Sequence, residues 1–172
     1  MRTKIFPISL IIIVSVIFVI FYKGLQNSNV YEPQIGNQKN IPVFIAKAFE
    51  TEEIFKSEDI FEGDKFYLMN IWSSWCAPCR DEHKFLLNLS TQKNLKIVGL
   101  NYKDKKKNAT NFLNELKNPY DFIFSDTDGT IAIEWGAYGV PESFLLYKNK
   151  IIKKIIGPID QNSLLEIKEL IQ

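Results

Sequence analysis

Residues Lys65 to Arg80 read KFYLMNIWSSWCAPCR: an apolar run, two serines, and then both cysteines of the chain with two residues between them. The run is apolar at nearly every position, which predicts a central strand covered on both faces. Cys76 to about Ser90 then reads as a helix, so the cysteines fall where a buried strand gives way to its helix. Two residues between the sulfurs close almost no loop, and a disulfide there gains little chain entropy. The pair reads as chemistry rather than as a staple. Zinc also uses Cys-x-x-Cys but wants a second pair of ligands, and covalent haem wants His immediately after the second cysteine. The chain has no further cysteine, and Arg80 stands at the haem motif's His position.

Working outward, Leu95 to Tyr102 (LKIVGLNY) reads as a second buried strand and completes a β-α-β unit. Upstream, Pro42 to Phe49 (PVFIAKAF) is strand-like. Downstream, Asn108 is the expected cap of a helix whose apolar residues are Phe112, Leu113 and Leu116 and which ends at Asn118-Pro119. Phe122 to Phe124 is a short strand, Asp126 to Gly129 a turn, and Ile131 to Trp135 a brief helix. After Gly139-Val140-Pro141 come two β runs, Ser143 to Tyr147 and Ile151 to Ile156, joined as a hairpin by Lys148-Asn149-Lys150. A last helix starts near Gln161 with Asp160 as its cap and Leu164, Ile167 and Ile171 along one stripe. With the cysteines at the strand-helix junction, this order is the thioredoxin arrangement. The expected class is therefore α/β: a thioredoxin-like fold with a central mixed sheet flanked by helices.

A cysteine at a helix N-terminus meets unpaired N-H groups and the positive end of the macrodipole, which favour an anion. The thiolate is the attacking species, so Cys76 is the candidate nucleophile and Cys79, one turn inside, the shielded resolving thiol. Pro78 fits, because a first-turn residue has no intrahelical N-H bond to lose. At about 100° per residue, Cys79, Glu82, Phe85, Leu86 and Leu89 share one broad face. Glu82 is thus carried toward the interior, where desolvation raises its pKa and its charge disfavours a nearby thiolate. It is expected to accept or relay the Cys79 proton and to make the pair a reductant. The alternative is an ordinary first-turn Glu at the rim that complements the dipole. His83 is expected on the surface or partly packed, Arg80 solvated, and Trp72 and Trp135 in the core or at its rim. Trp75 either shields the sulfurs and meets a substrate chain, or packs over the sheet end. In such a fold the Pro of Gly139-Val140-Pro141 is typically cis, and Val140 and Pro141 would offer the backbone platform for an extended peptide; a plain trans turn is the other reading.

The chain has 172 residues, with 21 Lys+Arg against 20 Asp+Glu. That balance gives no reason to expect nucleic acid or an acidic polymer as partner, and Lys103 to Lys107 reads as a solvated loop running into a helix. Residues 5–22 (IFPISLIIIVSVIFVIFY) carry no charge; at ~1.5 Å per residue they span about 27 Å, close to the hydrocarbon thickness. They are expected to form one transmembrane anchor, with 1–4 cytoplasmic, 23–40 a polar linker and 41–172 the exported domain. Arg2 and Lys4 ahead of the run favour that orientation. A cleaved signal peptide is the competing reading, but the run exceeds a normal h-region and YKGLQNSN lacks a small-x-small cleavage site.

NIWSSWCAPCRDEH (Asn70 to His83), VGLNYKD (Val98 to Asp104), KNPYDF (Lys117 to Phe122) and YGVPESFLL (Tyr138 to Leu146) closely resemble the DsbE/CcmG thiol:disulfide interchange proteins of cytochrome c biogenesis. The resemblance runs from about Ile41 to the C-terminus, and the single N-terminal anchor matches too. It implies a periplasmic domain held at the inner membrane that reduces the disulfide of apocytochrome c, or a mixed disulfide on its haem-ligation partner. The implied redox pair is Cys76 and Cys79, with Glu82 the acidic residue after it, Pro141 the cis-proline and Glu142 the acidic residue after the proline. The catalytic set is thus Cys76, Cys79 and Glu82, and the substrate-binding set Trp75, Val140, Pro141 and Glu142. No metal and no cofactor beyond the Cys76-Cys79 disulfide is expected. A reductant in an oxidising compartment needs recharging, which implies a membrane-embedded electron donor. A general exported thiol reductase or oxidase is the rival enzyme. A copper-binding module on this fold would want a His on a distant loop, which the lone His83 does not supply.

Overall fold

The computed structural model describes residues 5–26, 39–51, 53–61 and 63–172. The expected cytoplasmic residues 1–4, and the linker between 27 and 38, lie outside them. The chain divides into two units, 1–34 and 35–172.

The first unit contains helix α1, Ile5–Gln26, 22 residues long. Its side chains are described over 9–23 and are exposed throughout. Among the described residues no helix is long and apolar enough to cross a membrane.

The second unit is built on an eight-stranded sheet in the order β1-β8-β7-β4-β5-β6-β2-β3. Its strands are β1 (Lys39–Asn40), β2 (Ile45–Ala48), β3 (Ile54–Lys56), β4 (Phe66–Trp72), β5 (Leu95–Tyr102), β6 (Phe122–Asp126), β7 (Glu142–Tyr147) and β8 (Lys150–Ile156). The helices are α2 (Ser57–Ile60), α3 (Ala77–Leu89), α4 (Lys106–Leu116), α5 (Thr130–Glu134) and α6 (Gln161–Leu170). β4, β5 and β6 run parallel, and β7, β8, β1 and the β2-β3 hairpin pair antiparallel, so the sheet is mixed as expected.

β4 shows how the apolar run places the site. Successive side chains of a strand point to opposite faces. Leu68 and Trp72 belong to one core with Leu86 and Leu89 of α3, Ile167 of α6 and Phe112 of α4. Tyr67, Met69 and Ile71 belong to the other, with Phe44, Val98, Phe124, Trp135 and Phe144. Asn70 therefore shares the face of Leu68 and Trp72, a polar group set among helices. Leu86 and Leu89 are closed to solvent, and each is worth about 1.5–3 kcal/mol of burial. They hold α3 to the sheet at the height that the cysteines require.

Several boundaries differ from the sequence reading. The sheet begins with Lys39–Asn40, which pair with β8, ahead of the expected start at Ile41. The first strand-like run supplies only Ile45–Ala48, and β3 and α2 follow it in a stretch that carries no clear period. α4 starts at Lys106 with Lys105 as N-cap and no side-chain cap bond, so Asn108 lies inside the helix instead of capping it. Asp160 does cap α6, its carboxylate accepting from Ser163 N at 2.8 Å. Lys148 and Asn149, at φ 50° and 58°, make the two-residue loop of the β7-β8 hairpin with the paired positive φ of a type I′ turn.

Candidate active site at the start of α3

Cys76 is the N-cap of α3. Its backbone is extended, and its sulfur accepts from Cys79 N at 3.1 Å, one of the orphan amides of the first turn. Cys76 and Cys79 are joined by a disulfide and both are buried. The segment that delivers Cys76 is tied from below: Ser73 Oγ donates to the Tyr102 carbonyl. Asp104 accepts from Ser74 N at 2.6 Å and Ser74 Oγ at 2.8 Å, and also from Asn101 Nδ2 at 3.2 Å and Lys105 N at 2.7 Å. The end of β5 thus fixes the end of β4. Trp75 is 58% exposed, with Nε1 donating to the Lys103 carbonyl at 3.1 Å. It stands on the surface next to Cys76, tied to the backbone just beyond the end of β5.

Glu82 is fully buried, so it is not a rim carboxylate. Oε1 accepts from Asn70 Nδ2 at 2.9 Å and Oε2 from Ile159 N at 2.8 Å. Burial pushes its pKa from the ordinary 4.5 to about 7, against the two hydrogen bonds that favour the ionised form. Tyr120, stacked on Trp72, donates its hydroxyl to Asn70 Oδ1 at 2.9 Å. Asn70 and Tyr120 were not singled out by sequence reasoning; the only signal was an amide inside an otherwise apolar strand, a residue that must find buried partners.

His83 corrects the sequence reading. It is buried, with its ring edge-on to Phe112 and Nε2 2.8 Å from the Lys117 carbonyl at the end of α4. A carbonyl only accepts, so Nε2 carries the proton. Burial lowers the pKa and keeps the ring neutral. Arg80 is exposed, as expected, and there grips Glu115 with both terminal nitrogens, at 2.6 and 3.2 Å, with its guanidinium over the Phe112 ring.

The Val140-Pro141 bond is cis. Val140 packs against both cores, including the one that holds Cys76 and Cys79. Glu142, expected to meet substrate, is turned inward and is 2% exposed. Its Oε1 accepts from Tyr138 N at 2.6 Å and Gly139 N at 3.1 Å, and its Oε2 lies 2.8 Å from Lys154 Nζ. Lys154 in turn donates to the Gly136 carbonyl at 2.7 Å and lies 4.1 Å from the centre of the Tyr138 ring. The geometry makes Glu142 the anchor of the loop that leads into Pro141, in place of a contact on its surface.

Residues 37–170 match the Redoxin family. The chain belongs to that family. It is 35% identical over 159 residues to the thiol:disulfide interchange protein DsbE of Escherichia coli K12, covering 89% of this chain and 84% of that one. It is 48% identical over 103 residues to the thiol:disulfide interchange protein CycY of Rhizobium leguminosarum bv. viciae, covering 59% and 55%. Among solved structures, a thiol:disulfide interchange protein of the thioredoxin family from Chlorobium tepidum superposes with a TM-score of 0.64 at 19% identity, over 78% of this chain and 97% of that one. The protein is a thiol-disulfide oxidoreductase with a thioredoxin-like fold.

Proposed function

We propose that the protein is a membrane-anchored reductase of the periplasm that reduces the disulfide of apocytochrome c, or a mixed disulfide on the haem-ligation partner, during cytochrome c maturation. The observation that carries the reading is the cysteine pair at the N-terminus of α3 with a fully buried carboxylate one turn behind it, held by two hydrogen bonds. A helix N-terminus favours the Cys76 thiolate. Glu82 opposes overstabilising it and takes the proton of Cys79. In the reaction the Cys76 thiolate attacks one sulfur of the substrate disulfide, that bond breaks, and the departing sulfur leaves as a thiolate that picks up a proton. Cys79, relieved of its proton, attacks Cys76 Sγ, the mixed disulfide breaks, and the second substrate thiol is released. Two electrons have passed from the dithiol to the substrate and the Cys76-Cys79 disulfide remains.

Trp75 and the Val140-Pro141 backbone present the surface on which a substrate segment lies, and Glu142 acts through the loop it holds. A membrane-embedded donor of electrons restores the dithiol. The anchor reading rests on the sequence: the uncharged run 5–22 at ~1.5 Å per residue gives about 27 Å, and its apolar side chains described over 10–22 are uncovered. The positions of Arg2 and Lys4 support a cytoplasmic N-terminus and a periplasmic domain. A copper-binding reading draws no support from His83, whose ring is buried edge-on against Phe112.

Trapping with Cys79→Ala tests the reading. Without the resolving thiol, the mixed disulfide on Cys76 accumulates and its partner can be identified. Capture of an apocytochrome or a haem-ligation protein is the expected result; capture of many unrelated exported proteins would replace it with a general exchange enzyme. The reduction potential separates the directions of flow: a value near about -270 mV fits a reductant, and one near about -120 mV an oxidant.

A further inference from the structure

Asn70 lies at the middle of β4, wholly buried, and both ends of its amide are engaged. Nδ2 donates to Glu82 Oε1 at 2.9 Å and to Ser143 Oγ at 3.0 Å, while Oδ1 accepts from the Tyr120 hydroxyl at 2.9 Å. An amide can turn over and exchange its oxygen and nitrogen ends, and only its partners decide which way it faces. Ser143 does not decide, because a hydroxyl both donates and accepts. Tyr120 does. Its hydroxyl is buried and stays protonated, its pKa held well above the ordinary value by desolvation and by the Glu82 charge. That proton needs an acceptor, which an amide nitrogen cannot be.

We propose that Tyr120 is a positioning residue for the cysteine chemistry: by donating to Asn70 Oδ1 it locks the amide with Nδ2 toward Glu82, so that Asn70 supports the ionised, proton-accepting carboxylate. The inference rests on the proton-handling part proposed above for Glu82. With the hydroxyl removed, the two amide orientations become comparable. The reversed one offers Oδ1 to a protonated Glu82 and favours the neutral acid. Donation by Tyr120 also polarises the amide and strengthens its other hydrogen bonds.

The groups facing Glu82 leave few other causes for a change in its titration. Its hydrogen-bond partners are Asn70 of β4, which also donates to Ser143 of β7, and the Ile159 amide of the β8-α6 connection. Tyr120, from the α4-β6 connection, is the other ionisable group coupled to it. Asp160, next to Ile159, is turned to Ser163 N.

The test follows the Glu82 carboxyl carbon by NMR across pH in the oxidised full-length chain and in Tyr120→Phe. The midpoint, about 7 in the unmutated protein, is expected to rise by about one unit, the worth of one net hydrogen bond. The rate at which Cys79 resolves a glutathione mixed disulfide on Cys76 is then read against pH, and its profile is expected to move by the same amount. An unmoved carboxyl midpoint in a folded Tyr120→Phe overturns the lock. A moved midpoint with an unmoved rate profile keeps the lock and removes the part given to Glu82. Should the variant not fold, the unmutated protein decides: the Asn70 side-chain NH2 resonances follow the Glu82 midpoint if Nδ2 faces the carboxylate, and their indifference to it overturns the proposal.

Discussion

Cys79 and Glu82 stand one turn apart on the buried face of α3, and neither reaches solvent, at 2% and 0% exposure. A helix that buries a carboxylate among leucines sets a pH limit on its own stability. The folded state holds the Glu82 proton up to about 7, whereas the unfolded chain releases it near 4.5. Between those values the folded state binds more protons, so stability falls as pH rises, and the full contribution is present only below the unfolded pKa. The loss is on the order of 3 kcal/mol across that window. Glu82→Gln, which does not ionise, is expected to lose this slope. Urea unfolding at pH 5 and pH 8 measures it, and equal slopes in both proteins would show that Glu82 does not carry the proton.

The Lys154-Glu142 pair lies under the loop that leads to Pro141, with side chains 8% and 2% exposed. Lys154→Met leaves the Glu142 carboxylate buried without its cation, which costs about 3–5 kcal/mol. Adding Glu142→Gln removes the stranded charge and is expected to return much of that loss. The double-mutant cycle, read by urea unfolding, gives a coupling well above that of a surface pair. Additive effects would mean that the loop is held by its backbone alone.

Asp104 is expected to govern the mobility of the segment ahead of Cys76. Asp104→Ala releases Ser74 N and Ser74 Oγ from their acceptors and costs about 1–3 kcal/mol. Amide hydrogen exchange at Ser74 is expected to quicken by more than that at Leu100, inside β5, which follows only the global loss of stability. Uniform quickening would assign Asp104 to general stability and not to this segment.

What the sequence made legible is what short-range physics controls. The strand β4, the cap at Cys76 and the inward turn of Glu82 each follow from a period or a cap next to one another in the chain, whereas the cis Pro141 was legible only through the fold those elements imply, since a lone X-Pro bond favours trans. Partners from distant segments were not legible. His83 is buried because α4 ends at Lys117 and offers a carbonyl, and Phe112 offers a ring edge, a coincidence that helical period alone does not encode. Glu142 turns inward because a strand neighbour, Lys154, waits there with its charge. The start of α4 was missed because Asn108 looks like a cap, while the helix takes Lys105 with no side-chain bond. β1 and β3, two and three residues long, are too short to show a period.

Gly99 is the residue on which the Trp72-Tyr120 stack rests. A Cβ there would lie 2.9 Å from Trp72 Nε1 and 3.0 Å from two atoms of the Tyr120 ring. The two rings are already stacked with centroids 5.4 Å apart, so both must shift together. Gly99→Ala is expected to destabilise by about 1–3 kcal/mol, the ordinary cost of overpacking. Because Tyr120 carries the hydroxyl bonded to Asn70, the shift also loosens the amide that supports Glu82, and the Glu82 midpoint is expected to rise as it does in Tyr120→Phe. Urea unfolding and the carboxyl titration read the two consequences separately. Lost stability with an unmoved midpoint would mean that the rings yield without drawing the hydroxyl away, and an unchanged stability would mean that β4 and β5 open enough to admit the methyl.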